Sequence, residues 1–194
     1  MLVLASKSQR RRELLEQIGV DIGKIVDPNV QETYLKSELP IKYVERMALA
    51  KSRAVDGCVD DHVLTADTIV TRGRRILGKP RDKTEAEKYL NLLSGCRHRV
   101  ITSVCLSYQG KTRIRTVVTV VKMKHLSRAE ISYYLDSNEW YGKAGGYAIQ
   151  GIAARFIPFI SGSYTNVVGL PLMETVNLLN ANGFNNISSV SKNE

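Results

Sequence analysis

The strongest constraint on this chain lies in its first twenty residues, MLVLASKSQRRRELLEQIGV. Leu2 to Ala5 is a short apolar run suited to a buried strand, and Ser6 to Gln9 follow without an intervening loop. Arg10, Arg11 and Arg12 then open a helical pattern in which Leu14, Leu15 and Ile18 recur, and Gly19 supplies a C-terminal stop. Two starts are open: Ser6 with Gln9 fits a capping box, and Ser8 fits an N-cap. Either way, orphan backbone N–H groups, hydroxyls and guanidinium groups converge on one helix N-terminus, where an anion is best held. Cations in a first helical turn oppose the dipole, so three arginines there imply an anionic partner; the bland alternative is a solvated basic face. On that reading, removing Arg10 or Arg11 leaves the empty protein no less stable. A strand feeding straight into the helix favours the ligand site, because open α/β sheets bind ligands at the carboxyl ends of their strands.

At 194 residues, 43% hydrophobic and 24% charged, the chain suits a globular protein of one domain or two closely joined lobes. No apolar run is long enough to span a membrane, and MLVLA passes directly into basic residues rather than a secretory pattern. A cytoplasmic setting is therefore expected. Cys58, Cys96 and Cys105 form no C-x-x-C pair, which reads as reduced thiols without a metal. A net charge of +9 calls for a polyanion, either nucleic acid or a nucleotide polyphosphate. The 7% aromatic content and dispersed basic residues carry no signature of a known RNA-binding module.

Along the chain, Ile22 to Val26 reads as a second strand, and Asn29 to Leu39 as a polar loop containing Glu32. A helix runs from Pro40 to about Val55, closed by Gly57, with Lys51 on the same stripe as Val44, Met47 and Ala48. Lys51 either snorkels to water or points into a cleft. His62 to Val70 reads as a central strand interrupted by Asp67; a carboxylate is disfavoured there unless it works on a cation or a water. Gly78-Lys79-Pro80 is a rigid turn presenting a second lysine, followed by a helix that Thr84 and Glu87 would cap. His98 to Tyr108 and Arg113 to Lys124 form a hairpin about Gln109-Gly110, and Ser127 with Glu130 caps the next helix. KAGGYAIQG, Lys143 to Gly151, permits close backbone approach and carries Gln150; a strand is expected over Ala153 to Ile160. Gly162 to Pro171 reads as a loop, followed by a last helix with Leu172, Val176 and Leu179 on its apolar side. The three histidines lack metal-ligand spacing.

Taken together, LASKSQRRRELL, ADT (Ala66 to Thr68), GKP, LSGCRHRV, KAGGYAIQG and GSYTNVVGLPL resemble the successive signatures of the Maf family over nearly the whole chain. The resemblance implies an α/β fold, two-lobed like the inosine triphosphatases, around a long mixed sheet with a central cleft. It also implies a single domain over residues 1–184, a polar tail at 185–194 and a homodimer. Residue by residue, it makes Ser6, Arg10 and Arg11 substrate-binding, and Lys51, Asp67 and Lys79 catalytic, with Asp67 as general base. Glu32 and Asp67 become ligands of a divalent metal, Mg²⁺ or else Mn²⁺. Gln9 departs from the proline many members have there.

The branch acting on dTTP and UTP commonly has Arg, Thr and Gln where this chain has Arg10, Thr68 and Gln150. A glutamine amide offers one donor and one acceptor to the N3–H and O4 edge of uracil, which a carboxylate cannot. The implied activity is hydrolysis of dTTP or UTP, modified pyrimidine nucleotides included, to the monophosphate and pyrophosphate. No membrane and no specific nucleic acid is implied as partner. The rival is a non-catalytic basic protein binding nucleic acid or a division partner, which would gain nothing from Asp67.

Overall fold

The computed structural model describes residues 1–55 and 60–184. Gly57, Cys58 and the 185–194 tail lie outside the described residues. The apolar opening run forms β1 (Leu2–Ala5), buried throughout, and leads after three residues into α1 (Gln9–Gln17). Then come β2 (Lys24–Val26), α2 (Pro40–Arg53), β3 (His62–Arg72), β4 (Arg75–Leu77) and α3 (Lys83–Leu93). The hairpin of β5 (Arg97–Tyr108) and β6 (Lys111–Lys122) is followed by α4 (Arg128–Asp136), β7 (Phe159–Ser161), α5 (Tyr164–Val168) and α6 (Leu172–Asn180).

These strands make one mixed sheet ordered β2-β1-β3-β5-β6-β7, with β4 paired to β3 off that path. β1 runs parallel to β2 and β3, and the other pairings are antiparallel. This is the α/β fold around a long mixed sheet expected from the sequence. Side chains alternate across the sheet. Leu64, Ala66 and Val70 of β3 join the main core with α1, α3, α4, α5 and α6, whereas Ile69 packs with Tyr43, Val44 and Met47 of α2. Neighbouring residues of β3 therefore face different helices.

The ends of β1 and β4 leave a gap. β1 pairs with β3 only as far as Ala5 opposite Thr65, and antiparallel β4 reaches back only to Leu77 opposite Val70. Residues 66–69 thus have β5 on one side and no strand on the other. Asp67 and Thr68 sit in that gap.

Several boundaries differ from the sequence expectation. β2 starts at Lys24 rather than Ile22, because pairing to β1 begins at Val3 opposite Lys24. Asp82, not Thr84, caps α3: its carboxylate accepts from Glu85 N at 2.7 Å, and Glu85 reaches back to Arg81 N at 2.9 Å. The Ser127–Glu130 capping box forms in full. Instead of a strand over 153–160, the chain makes a 3-10 turn over Ile152–Phe156, and the strand begins only at Phe159, after Pro158. The 162–171 loop contains α5, capped by Ser163 and ended by Gly169 at φ 135°. On α6 the buried face is Thr175, Leu178 and Leu179. His62 stacks on Tyr108 at 3.9 Å, and His98 meets Tyr147 Oη at 2.7 Å through Nε2, so both are structural.

The KAGGY segment forms a tight 3-10 turn, Ala144–Gly146, docked by Gly145 N on Gly78 O at 3.0 Å. Gly145 has φ 72°, and a Cβ there would lie 2.8 Å from Val70 Cγ2. Gly145→Ala should therefore lower stability by roughly 1–3 kcal/mol, through left-handed strain plus the clash. Urea unfolding with an unchanged m-value checks this; an unchanged midpoint would mean that the turn relaxes freely.

Candidate active site

The cleft opens where β1 ends. It is a cavity of about 480 Å³ lined by 5–11, 27–30, Glu32, Lys51, Asp67, Thr68, Lys79 and the 142–144 and 167–169 segments, among others. Among its lining residues are six cations (Lys7, Arg10, Arg11, Lys51, Lys79 and Lys143) against three carboxylates, Asp27, Glu32 and Asp67. An excess of cations in a concave site is suited to a polyphosphate.

At the head of α1, Ser8 is the N-cap, but no side chain closes the cap. The Ser6 hydroxyl accepts instead from Ser8 N at 3.2 Å and from Arg11 Nη1 at 3.0 Å. The Ser6–Gln9 capping box does not form, and the helix end is left to face the cleft.

The arginines divide their labour. Arg11 is buried, donating from Nε to Gly169 O at 2.8 Å, from Nη1 to Ser6 and from Nη2 to Thr68 Oγ1 at 3.0 Å. It binds α1, β3 and the end of α5 together, so the expectation that its removal is harmless to the empty protein does not hold for it. Arg10, half-buried on the cleft wall, has no hydrogen bond or ion pair within the described residues. Arg12 pairs outward with Glu16 at 2.7 Å. Thr68 lines the cleft, yet its hydroxyl already meets Arg11, Thr102 Oγ1 at 2.9 Å and Gly169 O.

Asp67 lies on the opposite face of β3 from Thr68, toward α2. Lys51 projects from the buried stripe of α2 and donates to Asp67 Oδ1 at 2.5 Å and to Glu32 Oε1 at 2.7 Å. The snorkelling alternative for Lys51 is thereby set aside: it is 9% exposed and spans both carboxylates. Burial raises the Asp67 carboxyl above its ordinary value; Lys51 opposes the rise, Glu32 adds to it, and Arg11 weakly opposes it. For Glu32, burial alone would raise the carboxyl, but Lys51, with Lys79 and Arg11, outweighs it and holds it lower. The carboxylates thus differ, with Asp67 the more basic, as suits a proton acceptor.

Lys79 is exposed at the cleft mouth on the Gly78–Pro80 turn. Gln150 is not brought to the site: it is exposed and is not among the residues lining the cleft. Glu139 fixes the adjoining turn by accepting from Ile152 N at 2.7 Å. Among the lining residues that the sequence reading did not single out are Lys143, Tyr147 and Gly169. Lys143 opens the KAGGY motif and was readable as a charge beside glycines. Tyr147 is buried and held by His98, whose own pKa burial pushes down to about 4. The Gly169 carbonyl has no sequence signal.

The geometry defines a class: an α/β protein with a cation-rich cleft around a paired buried carboxylate, at the end of a parallel strand. The chain belongs to the Maf family, whose model, described as Maf-like protein, matches residues 1–182. It is 56% identical to the dTTP/UTP pyrophosphatase of Roseobacter denitrificans, over 97% of this chain and 100% of that one. The protein of that name from Sphingopyxis alaskensis is 54% identical over 94% and 96% of the respective chains. A solved HAM1 protein from Coxiella burnetii shares the fold, at TM-score 0.51 and 14% identity over 93% of this chain and 98% of that one.

Arg11→Ala should destabilise the empty protein by roughly 2–4 kcal/mol, since Gly169 O and the Ser6 and Thr68 hydroxyls each lose a charged donor and the buried side chain leaves a space behind it. Arg10→Ala should change stability by less than about 0.5 kcal/mol, having no partner to lose. Urea unfolding of the two variants side by side tests the division; equal losses would refute it.

Proposed function

We propose that this chain is a nucleoside triphosphate pyrophosphatase that hydrolyses dTTP and UTP to the monophosphate and pyrophosphate. The observation that carries the reading is Asp67, a buried carboxylate of raised pKa in the gap of β3, facing a cleft rich in cations. A protein that only bound nucleic-acid phosphates would gain nothing from a carboxylate such as Asp67 in its cationic cleft. The names of the relatives support the substrate class.

In this mechanism Asp67 takes a proton from the water that attacks the α-phosphorus, and the bond to the α–β bridging oxygen breaks. Lys51 holds the Asp67 side chain in place. Arg10, Lys79 and the open head of α1 neutralise the phosphates and the charge developing on the leaving pyrophosphate. Arg11 and Ser6 shape that end of the cleft. Val70, Val100, Ala144, Tyr147 and Val167 offer an apolar wall for the base.

A divalent cation fits this donor set. Lys51 takes one oxygen of each carboxylate, so Asp67 and Glu32 each keep another free. Among the described residues no group of three or more His, Cys, Asp or Glu could hold a metal. One or two carboxylates completed by substrate phosphates is, however, an ordinary Mg²⁺ arrangement. Asp67 and Glu32 would hold it, and it would offset negative charge on the phosphate oxygens. A homodimer and a cytoplasmic setting belong to the same reading; no helix among the described residues is long and apolar enough to cross a membrane.

Asp67→Asn should retain the fold and nucleotide binding but lose turnover by about a hundred-fold or more, measured as pyrophosphate release. Turnover like that of the wild type would remove Asp67 from the mechanism. For the unaltered protein, dTTP and UTP should exceed CTP, ATP and GTP in kcat/KM by roughly ten-fold or more. Because Gln150 is exposed and does not line the cleft, Gln150→Glu should scale all five triphosphates alike; a selective loss of dTTP and UTP would restore a base-reading role to it.

A further inference from the structure

Glu32 reaches the site from a segment, residues 29–39, that contains neither helix nor strand. Hydrophobic burial does not hold this segment. Tyr34, Leu35 and Leu39 are 50%, 57% and 52% exposed. A carboxylate on such a loop would sample many positions, yet it meets Lys51 at 2.7 Å.

The fastening is polar and comes from Arg46, one turn before Lys51 on α2. Its Nε donates to Glu38 Oε1 at 2.7 Å and its Nη2 to Glu38 Oε2 at 2.6 Å, a two-pronged pairing. The same Nη2 donates to the carbonyl of Thr33 at 2.9 Å. Arg46 therefore grips both ends of the 33–38 arc, and one grip lies a single residue from Glu32. Between these points Glu38 Oε2 accepts from Leu35 N at 3.3 Å, and Ser37 turns the chain at φ 61°. The Tyr34 ring lies 4.4 Å from that of Tyr43, over which the Arg46 guanidinium also sits at 5.5 Å. Glu38 is only 10% exposed on its side chain and Arg46 34%, so water screens the pair less than an open surface pair.

We propose that Arg46 is a positioning residue for the active site: by clamping the 33–38 arc to α2 it sets the Glu32 carboxylate on Lys51, and so fixes the lysine that holds Asp67. Arg46 is not among the residues that line the cleft. One helix thereby carries both Lys51 and the clamp for its second partner. A lysine at 46 could supply charge but not the fork, which reaches two acceptors on separate residues. The catalytic part of this inference rests on the pyrophosphatase reading, and the clamp itself does not.

The test joins two readouts. Amide hydrogen exchange on Arg46→Ala should quicken by about ten-fold or more over residues 31–38, while β3 and β5 keep their protection. In pyrophosphate release from dTTP, the same variant should lose about ten- to a hundred-fold in kcat with KM within about three-fold, and Arg46→Lys should fall between it and the wild type. In a Glu32→Gln background, adding Arg46→Ala should cost no further activity, because both changes remove one interaction. Unchanged exchange, unchanged kcat or fully multiplying losses would each overturn the proposal. Should Arg46→Ala fail to fold, Glu38→Gln removes the clamp from its other side and is read the same way. If the wild type releases no pyrophosphate at all, the functional reading fails, while the exchange result still decides whether Arg46 clamps the loop.

Discussion

Between Thr65 and Val70 the central strand β3 has a neighbour on one side only, because β1 stops at Ala5 and β4 ends at Leu77, opposite Val70. The rest of the site follows from that interruption. A strand paired on both edges would present nothing but side chains to its two faces. Here the missing neighbour opens a cleft at strand level, and consecutive residues reach it from opposite faces. Thr68 turns to Arg11 and the end of α5, and Asp67 to Lys51 on α2. The parallel arrangement of β1 beside β3 also places the head of α1 at the same opening, with its uncapped N-terminus.

Burying Asp67 in that gap is unfavourable unless a cation answers it, and Lys51 does so while sharing its charge with Glu32. An ion group of this kind contributes little to stability. Its chemical effect is larger: two carboxylates near one ammonium cannot be equivalent, and the more buried one becomes the more basic. The arginines show a similar separation of duties. Arg11 ties three elements together from inside the cleft wall, and Arg10, its neighbour in sequence, remains free of protein partners among the described residues. A structural tie and a cation without a protein partner among the described residues thus occupy adjacent positions of one charge run.

Much of this was legible in the sequence where a local physical rule applied. The apolar run of β1, the Ser127–Glu130 box, the Gln109-Gly110 hairpin and the anomaly of Asp67 within an apolar strand each depend on residues close in the chain. The Maf resemblance supplied the fold and a set of nine residues, of which Ser6, Arg10, Arg11, Glu32, Lys51, Asp67, Thr68 and Lys79 line the cleft and Gln150 does not. Errors fell where two local signals competed. Thr84 and Asp82 both suit an N-cap, and the turn after Pro80 settles the matter for Asp82. The β-branched and aromatic character of 153–160 was outweighed by Pro158 and by the anchoring of Ile152 on Glu139.

By itself, then, the sequence determined the kinds of element, the charge of the site and the identity of the carboxylate that does not belong in a strand, because period, capping and desolvation act within a few residues. Tertiary structure alone decided which arginine is structural, that Gln150 does not line the cleft and that Glu32 and Asp67 share one ammonium. It also decided that Arg46 holds the loop carrying Glu32. The physical reason is common to all four. Each depends on which elements and loops come together around the cleft, and that is set by the packing of the whole sheet, not by the residues beside each group.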